Sequence, residues 1–458
     1  MVRLDFSHFF CLSAARGYLR MVFIAVSLFS VMICRGQFVL SGDFDARGEY
    51  MNLHRVVADS LKNKTFNLLG TAELDAEYQY KKFTAYLAMQ GAYTSGTSLY
   101  SSQRSRTWSA NVSEAWAKYG ISKNFSLQAG RIEISYEDEQ FFQARSLDNL
   151  IVSHNAVIGH WYNTDTSFMT DLGFAANRFP GAGADLNTNP AVNNYRYMGY
   201  LYAHREMFDE KFFLTVSDIF NASDNGVDMQ NLYGRNTVGF SSWVVASDWN
   251  FFAALYYQHG HITDGRRLSA FYNNICITFE ATDWLTLVAA NEHMTGDNLA
   301  DTAEWKHVAH GFSMLYGNTK KTMGLSGIFN LSARSNVSPG LNNLYGKAVV
   351  DFSESLSLEA TYHWFTVPNA YMVSADPVTA KPSLTKVSSS LMHEADLLLT
   401  WDPLETLEIT LGYALIIPGK SIQEINGWNF RGNHFISTGN LEIDFSPVLW
   451  KSKKELKR

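Results

Sequence analysis

Apolar and polar residues alternate with period two along most of this chain. In the run from Phe83 to Tyr93, Phe83, Ala85, Leu87, Met89 and Tyr93 share one face, and Thr84, Tyr86, Ala88 and Gln90 share the other. Leu358, Ala360, Tyr362 and Trp364 oppose Glu359, Thr361 and His363. Leu407, Ile409, Leu411, Tyr413, Leu415 and Ile417 oppose Glu408, Thr410, Gly412 and Ala414. Successive strand residues point to opposite faces, so each run predicts a β-strand with one greasy and one polar side. Similar runs lie near 38–50, 68–80, 110–121, 168–177, 196–205, 238–249, 268–280, 284–293, 321–331, 390–402 and 435–445.

The runs are about ten residues long, the length of a tilted transmembrane strand. Short turn signals (122–124, Asp283, 353–355, Asp402-Pro403) separate some of them. Long polar stretches (180–194, 221–236, 371–383) separate others. Tyr and Trp gather at segment ends, at Trp116, Tyr119, Trp161, Tyr162, Trp243, Trp249, Trp284, Trp364 and Trp401. Short turns on one rim, long loops on the other and aromatic girdles are the plan of an outer-membrane barrel. The expected fold is all-β: a transmembrane antiparallel barrel of about 18 strands (16–20), with short periplasmic turns and longer extracellular loops.

Composition supports one large unit. Among 458 residues, 14% are aromatic, only 18% are charged and 9 are Pro, and no linker or low-complexity tract divides the chain. A mean hydropathy of −0.13 argues against a bundle of membrane helices. The one long apolar run, Met21 to Ile33, follows Arg16 and Arg20 and precedes small residues at Cys34 and Gly36. It reads as a signal peptide over 1–36, cleaved before Gln37, with Met21 as a possible true start. The barrel then spans 37–450, and 451–458 forms a basic tail. The signal carries four arginines and one aspartate. Its removal makes an already acidic chain, net −7, three charges more negative. Such a chain does not suit nucleic acid. Cys276 alone remains of three cysteines, so no disulfide framework is expected.

Candidate chemistry is sparse. His259 and His261 share a strand face but read as a rim pair rather than a metal site. The loop 224–231 has calcium-like oxygen spacing but lacks the terminal Glu of an EF-hand. No nucleophile elbow or P-loop is present, so no enzyme and no cofactor is expected. An outer-membrane barrel enzyme and a plugged structural or adhesive barrel are the alternatives.

The stretch Gly130 to Val152 is the most specific. Gly130-Arg131-x-Glu133-x-x-Tyr136-x-Asp138, followed by Ala144-Arg145-x-Leu147-Asp148-x-Leu150, resembles the alginate-export family of outer-membrane barrels. His393 to Gly419, with its Glu-x-Asp entry and Pro-Gly exit, is similar to the family's late hairpin. The resemblance implies an outer-membrane channel of a Gram-negative cell. It would pass hydrophilic solutes, anionic ones and saccharides being the candidates, by diffusion or export. Its partners would be outer-membrane lipid, that solute (a polysaccharide being one candidate) and the barrel-assembly machinery. Glu137 stands where the family has Gly, and Glu137 and Glu139 bring negative charge to the region. Alternation predicts Arg131 and Glu133 in the lumen, with Ile132 and Ile134 toward lipid. An arginine facing lipid near the midplane costs roughly 2–4 kcal/mol. The expected pore-lining residues are therefore Arg131, Glu133, Arg145, Asp148, Arg178 and Arg205.

Overall fold

The computed structural model describes residues 36–51, 65–97, 104–136, 141–142, 144, 152–177, 195–224, 231–298, 300, 304, 306–317, 323–328, 336–369, 371–375, 382–386, 388–421 and 435–452. The strands are β1 (Gln37–Met51), β2 (Thr65–Tyr80), β3 (Phe83–Thr97), β4 (Arg104–Gly120), β5 (Phe125–Glu133), β6 (Ser153–Tyr162), β7 (Phe168–Ala176) and β8 (Tyr197–Met207). They continue with β9 (Phe212–Ser223), β10 (Tyr233–Ala246), β11 (Trp249–His261), β12 (Arg267–Thr282), β13 (Leu285–Met294), β14 (Val308–Ala309), β15 (Leu341–Ser353) and β16 (Leu356–Thr366). The last are β17 (Tyr371–Ala375), β18 (Pro382–Lys386), β19 (Ser390–Leu404), β20 (Leu407–Pro418), β21 (Ile436–Phe445) and β22 (Val448–Lys451).

Each barrel strand pairs antiparallel with the next, and β21 returns to pair with β1, so the sheet closes on itself. The wall has 18 strands, the number expected from the sequence. Closure leaves no backbone edge to face hydrocarbon. Four short strands stand outside this ring sequence. β17 and β18 form a loop hairpin, β14 runs parallel to the start of β12, and β22 extends the pairing of β1. Connections alternate between tight turns, such as 81–82, 247–248 and 354–355, and long segments, such as 134–152, 295–340 and 367–389.

Burial is inverted relative to a water-soluble sheet. The exposed side chains include Leu74, Leu87, Met89, Leu172, Phe174, Leu397, Leu411 and Tyr413. Their strand neighbours Glu73, Gln90, Asp171, Asp396 and Thr410 are buried. A continuous apolar outer face is what lipid requires, and the polar face is turned into the barrel. Tyr119, Trp161, Trp249, Trp284, Trp364 and Trp401 are exposed, in keeping with girdle positions. Trp116 and Trp243 depart from that expectation. By register and alternation both belong to the inner face, Trp116 beside Glu114 and Trp243 in line with buried Thr237 and Ser241.

The strand expected near 321–331 is also absent from the wall: the described residues 323–328 are turns inside the barrel. That segment belongs to a long connection in which Phe312, Met314, Leu315, Tyr316 and Met323 are buried, and such inward apolar residues give it a strand-like composition.

Candidate functional site: a lumen narrowed by two loops and lined by an acidic wall

Two connections from the long-loop rim fold into the lumen and meet there. The segment after β5 brings in Tyr136, Phe141 and Phe142, and the segment between β13 and β15 brings in Phe312, Ser313 and Tyr316. Phe142 and Tyr316 form a parallel β-bridge, and Tyr316 N donates to Phe141 O at 3.1 Å. Their rings pack against the barrel wall. Tyr136 stacks on Tyr202 with centroids 3.7 Å apart, Phe141 meets Tyr256 edge-on at 4.5 Å, and Phe312 stacks on Tyr272 at 5.3 Å. The Tyr136 hydroxyl donates to Asp171 Oδ2 at 3.0 Å. Burial holds the phenols of both Tyr136 and Tyr316 above their ordinary value, helped at Tyr136 by Tyr200 and Asp171, so both stay neutral.

The second loop is anchored by side chains that use most of their hydrogen-bonding capacity. Gln258 donates to Thr237 Oγ1 and Ser313 O, and accepts from Ser313 N and Asn336 Nδ2, at 2.7–3.0 Å. Arg235, which the sequence did not single out, donates to Asn221 Oδ1 at 3.1 Å and to Asn336 Oδ1. The loop then reaches β19. Glu394 accepts from Ser326 N at 2.8 Å and Ser326 Oγ at 2.7 Å, and Asp396 accepts from Leu325 N at 3.0 Å. Gly324 precedes this latch with φ of +80°, and a Cβ there would stand 2.7 Å from Glu394 Oε1. Only glycine allows both the turn and the close approach. The Glu-x-Asp entry of the late hairpin is thus the loop's docking point. Its two carboxylates, separated by one residue and so on one strand face, were the available signal for it.

The loops' contacts fall on β6–β8, β10–β12 and β19. Across the ring lie β20, β21, β1 and β2, whose inner face is acidic. Alternation places Asp43, Asp45, Arg47 and Glu49 of β1 inward, opposite exposed Phe44, Ala46 and Tyr50. Glu73 and Asp75 of β2, Glu442 and Asp444 of β21, and Glu408 of β20 join them. Among the described inner-face residues of these four strands, nine carboxylates, Glu77 of β2 included, face one cation, Arg47, whose Nε lies 2.9 Å from Glu49 Oε1. The ladder sets Glu408 opposite Asp444 and Asp444 opposite Asp45, a row of three carboxylates on three adjacent strands. Like charges directly opposite are destabilising, so stability does not account for such a row.

Of the six expected pore-lining residues, Arg131, Glu133 and Arg205 are among the described residues. Ile132 and Ile134, expected toward lipid, are 2% and 3% exposed and pack with the loop aromatics in the lumen. Arg131 lies across the ladder from Ala115 and Asn155, both exposed. Its Nε donates to Ser113 O at 3.1 Å, the residue that the β3–β4 register skips. Ser153 Oγ donates to the same carbonyl at 2.6 Å, and Glu133 N donates to Glu114 Oε2 at 2.8 Å. Arg131 and Glu133 thus knit a β-bulge. Arg205 is exposed on the face it shares with Leu201, opposite buried Tyr200 and Tyr202, close to the tight turn after β8. There an outward arginine can carry its charge to the headgroups. Arg145, Asp148 and Arg178 lie outside the described residues, as does the 225–230 part of the calcium-like loop. His259 and His261 are exposed on the outer face at the end of β11, and no cluster of three metal-ligating side chains exists among the described residues.

The model of the family described as alginate export matches residues 49–430, most of the chain. The chain belongs to the alginate-export family. It is accordingly an outer-membrane barrel that forms a channel for solutes. No curated protein matches it. Among solved structures it resembles Pseudomonas aeruginosa OccK1 (OpdK), at 14% identity and a TM-score of 0.56, over 89% of this chain and 98% of that one. OccK9 (OpdG) of the same organism gives 13% and 0.56, over 90% and 98%. OccK5 (OpdH), also from that organism, gives 11% and 0.55, over 90% and 99%. At these identities the likeness shows the fold alone.

Proposed function

We propose that this member of the family is a passive channel whose path runs along the acidic wall, and that it passes cationic and neutral hydrophilic solutes in preference to anions. The row Glu408, Asp444 and Asp45 carries this reading. Rings of carboxylates favour cations in narrow pores, whereas a polyuronate would need a basic lining. Arg47 is the single cation among the described inner-face residues of that wall, and Glu49 neutralises it. The family's description names a polyanion, and this wall opposes one. Delivery to the outer membrane would use residues 1–36 as a cleaved signal and the barrel-assembly machinery for insertion. Swelling of proteoliposomes tests the solute preference. Lysine and a neutral pentose should enter faster than glucuronate; faster entry of glucuronate would overturn the reading.

A further inference from the structure

Near the tight-turn rim the inner wall carries a cavity of about 260 Å³, lined by Tyr202, His204, Phe213, Thr215, Ser241 and Trp243 among others, with no described residue of either inward loop in its lining. We propose that this cavity is a binding subsite for a single uncharged pyranose ring. Trp243 is 49% exposed although it lies on the inner face, and Phe252 meets it edge-on at 5.5 Å, which fixes the plane of the indole. An indole face open to a water-filled lumen offers a stacking surface for the C–H face of a sugar. The polar rim for its hydroxyls stands beside it. Thr215 Oγ1 and His204 Nδ1 are 2.9 Å apart, Phe213 stacks on the His204 ring at 6.1 Å, and Ser241 lies one turn of the alternation from Trp243. Apolar walls with a few convergent hydrogen-bonding groups are the usual make-up of a small-molecule site. The volume lies below the ~300–1,000 Å³ of sites for drug-sized ligands, so it suits one ring rather than an oligomer. None of the lining residues is an arginine or a lysine that would hold a uronate, and the carboxylate at the edge of the cavity, Glu206, has its Oε1 3.9 Å from His204 Nε2. The back wall, Tyr202, stacks on Tyr136, so an occupied site would press on the first inward loop.

The subsite rests on the channel reading only in that a solute must reach the lumen. Its test therefore measures binding to the detergent-solubilised barrel, without transport. Titration calorimetry with methyl glucoside, glucuronate and glucosamine should show saturable binding that is tightest for the neutral glycoside. Trp243→Ala should weaken it at least tenfold, and Trp243→Phe, which keeps an aromatic face, should weaken it less. Both variants should keep the heat-dependent gel mobility of a folded barrel and the ion selectivity of the parent. Absence of saturable binding to the parent barrel, binding unchanged in Trp243→Ala, or tighter binding of either charged sugar would overturn the proposal. Loss of conductance with glycoside binding retained would count against the channel reading alone.

Discussion

Replacing Asp45 and Asp444 together by Asn removes two of the three charges of the acidic row and keeps the shape of both side chains. The two residues face each other across the β1–β21 ladder. Paired Cα atoms are about 4.5–5.5 Å apart, so an ion moving along the wall meets both charges at nearly one distance. At about 8 Å in a water-filled lumen each carboxylate attracts a monovalent cation by about 0.5 kcal/mol. Removing both withdraws about 1 kcal/mol, which lowers the local cation concentration about fivefold. Salt screens over about 10 Å at 0.1 M, so the effect is to be read at lower ionic strength. In a planar bilayer with a salt gradient, the reversal potential of the double variant should move toward zero. Assembly should be equal to the parent's or better, because a like-charge pair has gone. A folded variant with an unmoved reversal potential would show that the path does not run along this wall.

Three further outcomes follow from the same contacts. Tyr316 is 1% exposed, holds the two loops together, and its hydroxyl has no hydrogen-bond partner among the described residues; Tyr316→Ala should raise single-channel conductance and noise, whereas Tyr316→Phe should leave conductance unchanged and gain about 1–3 kcal/mol by removing an unsatisfied buried group. Arg131→Ala should destabilise the barrel by about 1–3 kcal/mol through the bulge carbonyl of Ser113, seen as a lower urea midpoint, and leave selectivity unchanged. Leu172→Arg, in the middle of β7 on the outer face at 67% exposure, should cost about 2–4 kcal/mol and reduce the heat-modifiable band, while the same change at a loop position should not.

Strand periodicity made the fold legible because the membrane enforces it: every outward position must be apolar for the full width of the bilayer, as the exposed Leu87, Leu172 and Leu411 show. Strand number followed from chain length for the same reason. The site was less legible because the alternation tells the two faces apart but does not say which is wet. At Ile132 and Ile134 the lumen itself is apolar, since the inward loops cover that wall with Phe141 and Phe142, and the sense of the alternation reverses. Trp243 read as a girdle residue because its position near a strand end is the same whether it faces lipid or lumen. The acidic row was visible only as scattered carboxylates at Asp45, Glu408 and Asp444; the ladder register, which the sequence does not display, brings them side by side. The similarity to the alginate-export family was carried by residues that prove to be bulge and latch elements, Arg131, Glu133, Glu394 and Asp396. They mark the fold rather than the solute.

The reversal potential of the purified parent channel in a potassium chloride gradient tests the central claim most directly. An acidic path predicts a potential on the potassium side, a cation-selective pore. A potential at zero or on the chloride side would contradict it.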